Sequence, residues 1–360
     1  MSLAQPKRIL IIKLRHHGDV LLSTPVVDAL KTRFPDCEID MLVYAGTGQL
    51  IADNPQIAQI FTIDRNWKKL GIFKQLACEK NLFSKLKARD YDWAFNLSDQ
   101  WRAAVIAKLC ARCSVGLDCI KRDGFWWRFC HDFINHELDP SHHIVENQLN
   151  ILAPLIQPED VADAKVRLWV AQDARESMRQ KLREQGWSGE DYVLMHPGAR
   201  WHFKCWEDGK NAAIVQLLLN SGQNVVLTAS PDTVEQYMLQ EIIGRLNIPE
   251  GRKVYVLSGC LSLRELAAAI EGAKLFVGVD SAPMHIAAAL DKPQIALFGA
   301  SWVDKWRPYS EQAEVIYAGD YAELPHPDSI DTNDPTRLLK AIPLQDVWDR
   351  ISAKLEALEA

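Results

Sequence analysis

Three short stretches of this 360-residue chain combine chemically useful side chains with a place at the end of an apolar run. The first is Gly18-Asp19-Val20. Gly18 permits a tight turn, and a carboxylate just after a buried strand can remove a proton from a substrate hydroxyl. Asp19 can equally be a helix-start residue stabilised by backbone N–H groups and the helix dipole. The second is Val279-Asp280-Ser281-Ala282-Pro283-Met284-His285. Ser281 suits an N-cap with Pro283 in the first turn, and the N–H groups and dipole of such a terminus favour a phosphate. His285 lies one turn further in, near enough to meet it; the alternative is a capped helix with a buried histidine. The third, residues 196–206, gathers Arg200, His202 and Lys204 between Trp201, Phe203 and Trp206. That is a cationic loop able to neutralise charge on a leaving pyrophosphate, or else a solvated basic loop.

The elements that must position these residues follow from periodicity. Residues 8–14 form a continuous apolar run suited to a buried parallel strand, and a helical pattern follows after Asp19. Strand, short loop and helix open a nucleotide-binding type of α/β domain. Residues 39–44, 59–64 and 93–97 repeat the strand signal. Beyond residue 170 the strands are predicted at 192–196, 224–228, 254–257, 275–279 and 294–298, with helices at 211–219, 263–270 and 283–290. The pattern predicts two doubly wound α/β domains, which bind ligands at the carboxyl ends of their strands. Pro154, Pro158 and an acidic cluster mark the boundary, giving domains over 1–160 and 171–340. Val347, Ile351, Leu355 and Leu358 form the apolar stripe of a last helix over 341–360, expected to pack back on the N-terminal domain.

Composition narrows the classes. The chain is 48% hydrophobic and 24% charged, as in soluble globular proteins, and it has no apolar run of the roughly 18 residues needed to span a bilayer. The 9–12 run has neither the length nor the cleavage site of a secretory signal. Eight scattered cysteines read as the reduced thiols of a cytoplasmic protein. Cys110 and Cys113, with Cys119, Cys130 and His131 downstream, have metal-like spacing but follow a helical alanine-rich stretch. The net charge is −6, an acidic balance that argues against nucleic-acid binding. Residues 1–150 hold 20 Lys and Arg against 17 Asp and Glu, so the N-terminal half can meet an anionic substrate or membrane. Phe125, Trp126, Trp127, Phe129 and Phe133 crowd among Lys121, Arg122 and Arg128. Packing against the domain is the expected reading, and contact with lipid headgroups the other. Walker A and G-x-S-x-G are absent, and Gly46-Thr47-Gly48 lacks the third glycine of a dinucleotide fingerprint.

The motifs in this order resemble the ADP-heptose:lipopolysaccharide heptosyltransferase family. The resemblance rests on Ile12-Lys13 through Gly18-Asp19-Val20-Leu21-Leu22 and Thr24-Pro25, and on His196-Pro197-Gly198 with Lys204 and Trp206. Asp280-Ser281, the run from His285 to Leu290, Phe298-Gly299 and Trp306 extend it over essentially the whole chain. Within the family the heptosyltransferase III branch, which adds a side-branch heptose to the inner core, is the most similar. The resemblance implies the GT-B fold, two Rossmann-like domains facing across a cleft, the N-terminal one for the acceptor and the C-terminal one for ADP-heptose. It implies inverting transfer of L-glycero-D-manno-heptose to a heptose of the lipopolysaccharide inner core, by a protein peripheral to the cytoplasmic face of the inner membrane. No metal or other cofactor is implied.

Carried onto this sequence, the resemblance makes Asp19 the general base, with Gly18 beside it in the acceptor loop. Lys204 stabilises charge on the donor diphosphate, which Ser281, the amide of Ala282 and His285 help hold. Ser258, Gly259 and Leu261 line the adenine pocket, and Glu235 meets the ribose. Two residues depart from the family pattern. Ala282-Pro283 stands where many relatives have Gly-Leu, and proline removes one amide donor; Glu207 stands where many have proline. The rival readings are another nucleotide-sugar enzyme of this build, such as an epimerase or a different transferase, and a non-catalytic nucleotide- or glycolipid-binding protein.

Overall fold

A computed structural model describes residues 5–118, 122, 124–136, 138, 141–157, 161, 163–332 and 335–359. The chain divides into two units, Met1–Trp169 and Val170–Ala360. In the first, the order is β1 (Arg8–Lys13), α1 (His17–Leu21), α2 (Thr24–Arg33), β2 (Glu38–Tyr44), β3 (Gln59–Ile63), α3 (Ile72–Ala88), β4 (Tyr91–Asn96), α4 (Trp101–Cys110), β5 (Ala111–Asp118), α5 (Phe125–Phe129), β6 (Phe133–His136) and α6 (Ile144–Leu149). The sheet runs β3-β2-β1-β4-β5-β6, with Ile12 paired in parallel to Leu42 on one side and Asn96 on the other. Ile9 to Ile12 are fully buried, because helices cover both faces of a doubly wound parallel sheet. Before the second unit begins, the Arg167 guanidinium donates to Asp28 at 2.9 Å and its N–H to Thr24 at 3.0 Å, tying the connecting strand of chain to α2.

The second unit repeats the plan with α7 (Gln172–Arg183), β7 (Tyr192–His196), α8 (Asp208–Asn220), β8 (Asn224–Ala229), α9 (Thr233–Ile243), β9 (Val254–Ser258), α10 (Leu263–Glu271), β10 (Leu275–Val279), α11 (Ala282–Ala289), β11 (Gln294–Phe298), α12 (Val303–Trp306), β12 (Ala313–Tyr317) and α13 (Leu344–Glu359). Its sheet runs β12-β11-β10-β7-β8-β9. In both units the order reverses beside the first strand, and that switch point is where open α/β sheets place ligands.

The structure departs from the sequence expectations at the last helix and at the aromatic segment. Helix α13 belongs to the second unit, not the first: Val347, Ile351 and Leu355 enter that unit's core beside Leu218 and Leu339. Each such buried aliphatic side chain contributes about 1.5–3 kcal/mol. The aromatic segment is only partly packed. Trp127 is buried and donates its indole N–H to the Leu117 carbonyl at 3.0 Å, whereas Phe125, Trp126 and Phe129 are exposed; Cys119 and Lys121 lie outside the described residues. Finally, Cys110 ends α4 while Cys113 lies in β5, and burial pushes both thiols up to about 11, as expected of packed side chains.

Candidate active site

In the first unit, β1 delivers the chain to α1, and Asp19 sits in the first turn of that helix, half-buried. Its carboxylate has no side-chain partner among the described residues. Gly18 is the second residue of α1 and has no positive φ, so the turn falls earlier, at Arg15 and His16. Burial, then the neighbouring His16 and Arg65, push the His17 ring below its ordinary pKa. The loop after β4, the other strand of the switch point, is fixed against β1. Ser98 Oγ accepts the Leu14 N–H at 2.7 Å, Gln100 Nε2 donates to the Leu14 carbonyl at 2.8 Å, and Lys13 Nζ donates to the Leu97 carbonyl at 3.2 Å. These bonds set the backbone from which Asp19 projects.

Beside this edge lies a pocket of about 350 Å³ whose lining includes Arg15, Tyr44, Asp64, Arg65, Lys68 and Arg102. Arg65 stacks 4.0 Å from the Tyr44 ring centroid, Arg15 pairs with Asp99 at 2.8 Å and Arg102 with Glu79 at 2.6 Å. Four cations around one lining carboxylate suit an anionic ligand. Sequence reasoning missed this pocket, because its residues come from four separate segments of the chain and share no spacing.

In the second unit the candidate residues come from adjacent strand ends along one edge of the sheet. Lys204 follows β7, and its ammonium lies 2.5 Å from Asp280 Oδ2, just after β10, and 5.1 Å from the Trp201 ring centroid. Ser301, after β11, donates its hydroxyl to the same carboxylate oxygen at 2.7 Å. Ser281 holds the N-cap position of α11, but its hydroxyl donates back to the Val279 carbonyl at 3.2 Å and caps no N–H group. The Ala282 amide and the buried His285 follow in the first turn, with Pro283 between them. Ser258, Gly259 and Leu261 close the row at the end of β9; Gly259 has φ +64 and donates its N–H to the Ala229 carbonyl at 2.9 Å.

Two expected ligand groups face inward. Glu235, in the first turn of α9, is buried; its carboxylate accepts the Ser230 N–H at 2.9 Å and lies 3.7 Å from His196 Nε2. His196 is bonded through Nδ1 to the Thr228 hydroxyl at 2.9 Å, and burial pushes its pKa down. A Cβ at Gly198 would stand 2.6 Å from the Glu235 carboxylate, which is why glycine follows Pro197. His202 accepts a hydrogen bond from Arg337 at 2.9 Å, while Arg337 also grips Asp208 through two nitrogens. Burial and that guanidinium lower the His202 pKa. Of the three basic residues expected in the loop, Lys204 pairs with Asp280 beside the α11 terminus, His202 meets Arg337, and the Arg200 guanidinium lies 5.9 Å from the Trp201 ring centroid. Asp280, which orients it, stands in the second sequence motif with no role assigned there, and Ser301, which holds the same carboxylate, follows Gly299-Ala300 with no motif to mark it.

An Asp-x-Asp pair, Asp90 and Asp92, flanks the start of β4, at the opposite edge of the sheet from Asp19. Arg112 bridges both carboxylates, and Asp92 accepts the Lys7 and Arg8 N–H groups. It is a structural brace.

Two parallel doubly wound units with charged groups at the carboxyl edge of each sheet are the build of a two-domain nucleotide-sugar transferase. The chain belongs to glycosyltransferase family 9 (heptosyltransferase), whose family model matches residues 80–336. It is 37% identical over 335 residues to lipopolysaccharide heptosyltransferase 3 of Escherichia coli, covering 93% of this chain and 95% of that protein. The glycosyl transferase family 9 structure from Veillonella parvula superposes with a TM-score of 0.83 at 21% identity, covering 99% of each chain. The E. coli ADP-heptose lps heptosyltransferase II structure gives 0.78 at 22% identity, over 98% of this chain and 100% of that one. These likenesses show the GT-B fold that the sequence motifs implied.

Proposed function

We propose that this glycosyltransferase moves L-glycero-D-manno-heptose from ADP-heptose to a heptose of the lipopolysaccharide inner core, by single displacement with inversion at the anomeric carbon. The observation that carries the reading is Asp19: a partly exposed carboxylate with no side-chain partner among the described residues, held at the switch point of the first sheet. Such a group is available to accept the proton of an acceptor hydroxyl as that oxygen attacks. The bond to the ADP oxygen breaks as the new glycosidic bond forms. The negative charge left on the diphosphate is met by Lys204, by the amide of Ala282 and by the α11 dipole. Ser258, Gly259 and Leu261 would lie along the adenosine, and Glu235 would reach the ribose only by turning from His196.

Three further features support the reading. The 37% identity to a protein named lipopolysaccharide heptosyltransferase 3 points to a core heptose as acceptor. The cationic pocket beside Asp19 suits an anionic glycolipid. A lipid acceptor also places the protein at the cytoplasmic face of the inner membrane as a peripheral enzyme, and no helix among the described residues is long and apolar enough to cross a membrane. The test is incubation of the purified protein with ADP-heptose and defined truncated core lipopolysaccharides, with products weighed by mass spectrometry. A gain of one heptose, with ADP released only when acceptor is present, is expected. ADP-heptose isomerised without acceptor indicates an epimerase, and tight nucleotide binding with no turnover a silent binder; either overturns the proposal.

A further inference from the structure

We infer that the first unit carries a docking surface for an anionic lipid leaflet, made from α3, α4 and α5 together. Of the 16 large apolar side chains exposed among the described residues, 11 lie between Leu70 and Phe133. Phe73 is 87% exposed, Phe125 73% and Trp126 68%. On α3, Ile72, Phe73 and Leu76 in the first two turns are exposed, whereas Leu82 and Leu86 further along the helix are buried. On α4, Trp101, Val105 and Leu109 recur every fourth residue as an exposed stripe opposite Ala103, Ala107 and Cys110. On α5 the exposed rings pack on one another: Phe125 and Trp126 centroids are 5.4 Å apart, Trp126 and Phe129 6.3 Å.

The three helices form one continuous surface. Glu79 on α3 pairs with Arg102 on α4 at 2.6 Å, and Trp101 at the start of α4 meets Trp127 of α5 edge-on at 5.5 Å. All three follow the carboxyl ends of β3, β4 and β5, so the surface borders the edge that carries Asp19. Monomeric proteins rarely leave a contiguous apolar patch of this kind uncovered.

Charge selects the occupant. Residues 65–133 hold 14 Lys and Arg against 7 Asp and Glu, in a chain whose net charge is −6. Lys68, Lys69, Lys74 and Lys80 are exposed around the α3 face. Shallow aromatic and aliphatic contact ringed by lysine and arginine is the composition that seats proteins in the headgroup region of an anionic bilayer. A second copy of the chain would set these like charges against one another. The surface does not depend on which sugar is transferred, although it explains how a lipid-borne acceptor reaches Asp19.

The test is co-sedimentation of the full chain with vesicles, without nucleotide-sugar. Vesicles containing phosphatidylglycerol are expected to bind it at least tenfold more strongly than phosphatidylcholine vesicles, and 0.5 M salt to weaken that binding. The Phe73→Ser/Leu76→Ser and Trp126→Ser/Phe129→Ser pairs are each expected to reduce binding at least tenfold. Unchanged melting temperatures would show that these exposed substitutions leave the fold intact. Lys74→Glu/Lys80→Glu should reduce binding with the rings in place. Transfer to a delipidated, water-soluble core oligosaccharide should be unaffected by all three pairs. Equal binding to both vesicle types, or binding indifferent to every pair, overturns the surface. So does a concentration-dependent dimer that the ring substitutions dissociate, in a protein that ignores vesicles. Vesicle binding without heptose transfer would leave the surface standing and remove the proposed reaction.

Discussion

The Lys204 ammonium and the Asp280 carboxylate meet at 2.5 Å, although 76 residues separate them in sequence, and the Ser301 hydroxyl donates to the same oxygen. Neither Lys204 nor Asp280 is more than one-sixth exposed. The pair joins the loop after β7 to the turn after β10 and aims the ammonium across the N-terminus of α11. In the proposed reaction a diphosphate arriving there would compete with Asp280 for the lysine, and the carboxylate would position the cation between turnovers.

Lys204→Ala should therefore lower kcat/KM by about 10²–10³, the effect of removing one electrostatic donor, with losses in both donor affinity and kcat. It should also lower stability, because it leaves a buried carboxylate unpaired. Asp280→Asn keeps the shape without the charge and should cost less stability while still slowing transfer. Steady-state kinetics and thermal melts of both variants check this. A Lys204→Ala enzyme with normal donor KM and kcat would remove the lysine from the chemistry.

Asp19→Asn keeps the shape but removes the base, so it cannot accept the proton. The expectation is a kcat lower by about 10²–10⁴, with ADP-heptose affinity within a factor of two or so of the parent, since the proposed donor contacts lie in the other unit. Single-turnover rates and calorimetric donor binding separate the two effects. Turnover near the parent value would return Asp19 to the role of a helix-start residue.

Charge neutralisation by Lys204 and α11 predicts transfer that is insensitive to EDTA. If chelation abolishes the activity and Mg²⁺ restores it, the lysine and the helix terminus are not enough to stabilise the departing ADP.

How much of this was legible in the sequence follows from where the signal is local. The strands at 192–196, 275–279 and 294–298 agree with the structure to the residue, because each is a short apolar run bounded by turn residues. The strand β5 was not, since Arg112, Ser114 and Gly116 interrupt its apolar pattern. Gly116 is glycine because the His131 ring packs on it, with 2.6 Å left to a Cβ, a contact made from 15 residues away. Likewise Lys204 and Ser281 stand in motifs, so the sequence alone is enough to name them as candidates. Ser301 and the Arg15, Arg65, Lys68 and Arg102 pocket take their meaning from the juxtaposition of separate loops. Glu235 and His202 have suitable chemistry and a suitable place, but the buried His196 and the Ser230 amide hold Glu235 inward and Arg337 engages His202. The α13 stripe showed an amphipathic helix without showing which core it joins.

Gly198→Ala probes that inward pairing. The added methyl falls 2.6 Å from Glu235 Oε2, so either the carboxylate leaves His196 and the Ser230 amide or the loop leading to Lys204 shifts. Overpacking of this kind costs about 1–3 kcal/mol, read as a lower urea midpoint, and the shifted loop should raise the donor KM. A variant as stable as the parent with unchanged KM would show that the Glu235 side chain moves freely and does not hold the loop.

The last prediction is a pH dependence of stability set in the first unit. His131 is buried beneath the α5 segment. Its Nδ1 is 2.9 Å from the Trp127 carbonyl and its Nε2 3.2 Å from Asn96 Nδ2. A carbonyl only accepts, so Nδ1 carries the proton and Nε2 accepts from the Asn96 amide, which fixes the neutral tautomer. Burial lowers the ring's pKa from its ordinary 6.5, opposed by the bond to Trp127 and by Asp132, and aided by Lys108. The unfolded chain titrates near 6.5, so below that pH it binds a proton that the folded chain refuses. Acidification in this window then favours unfolding, while above it both states are neutral and the contribution is constant. His17, His196 and His202 are lowered too and act in the same direction. The urea midpoint should hold steady from pH 8 to 7 and fall from pH 6.5 to 5. His131→Gln can keep one of the two hydrogen bonds without a titrating ring, so it should be less stable at pH 7.5 yet lose less on acidification. A midpoint that is flat from pH 7.5 to 5, or a His131→Gln slope as steep as the parent's, would show that the ring is protonated in place without penalty.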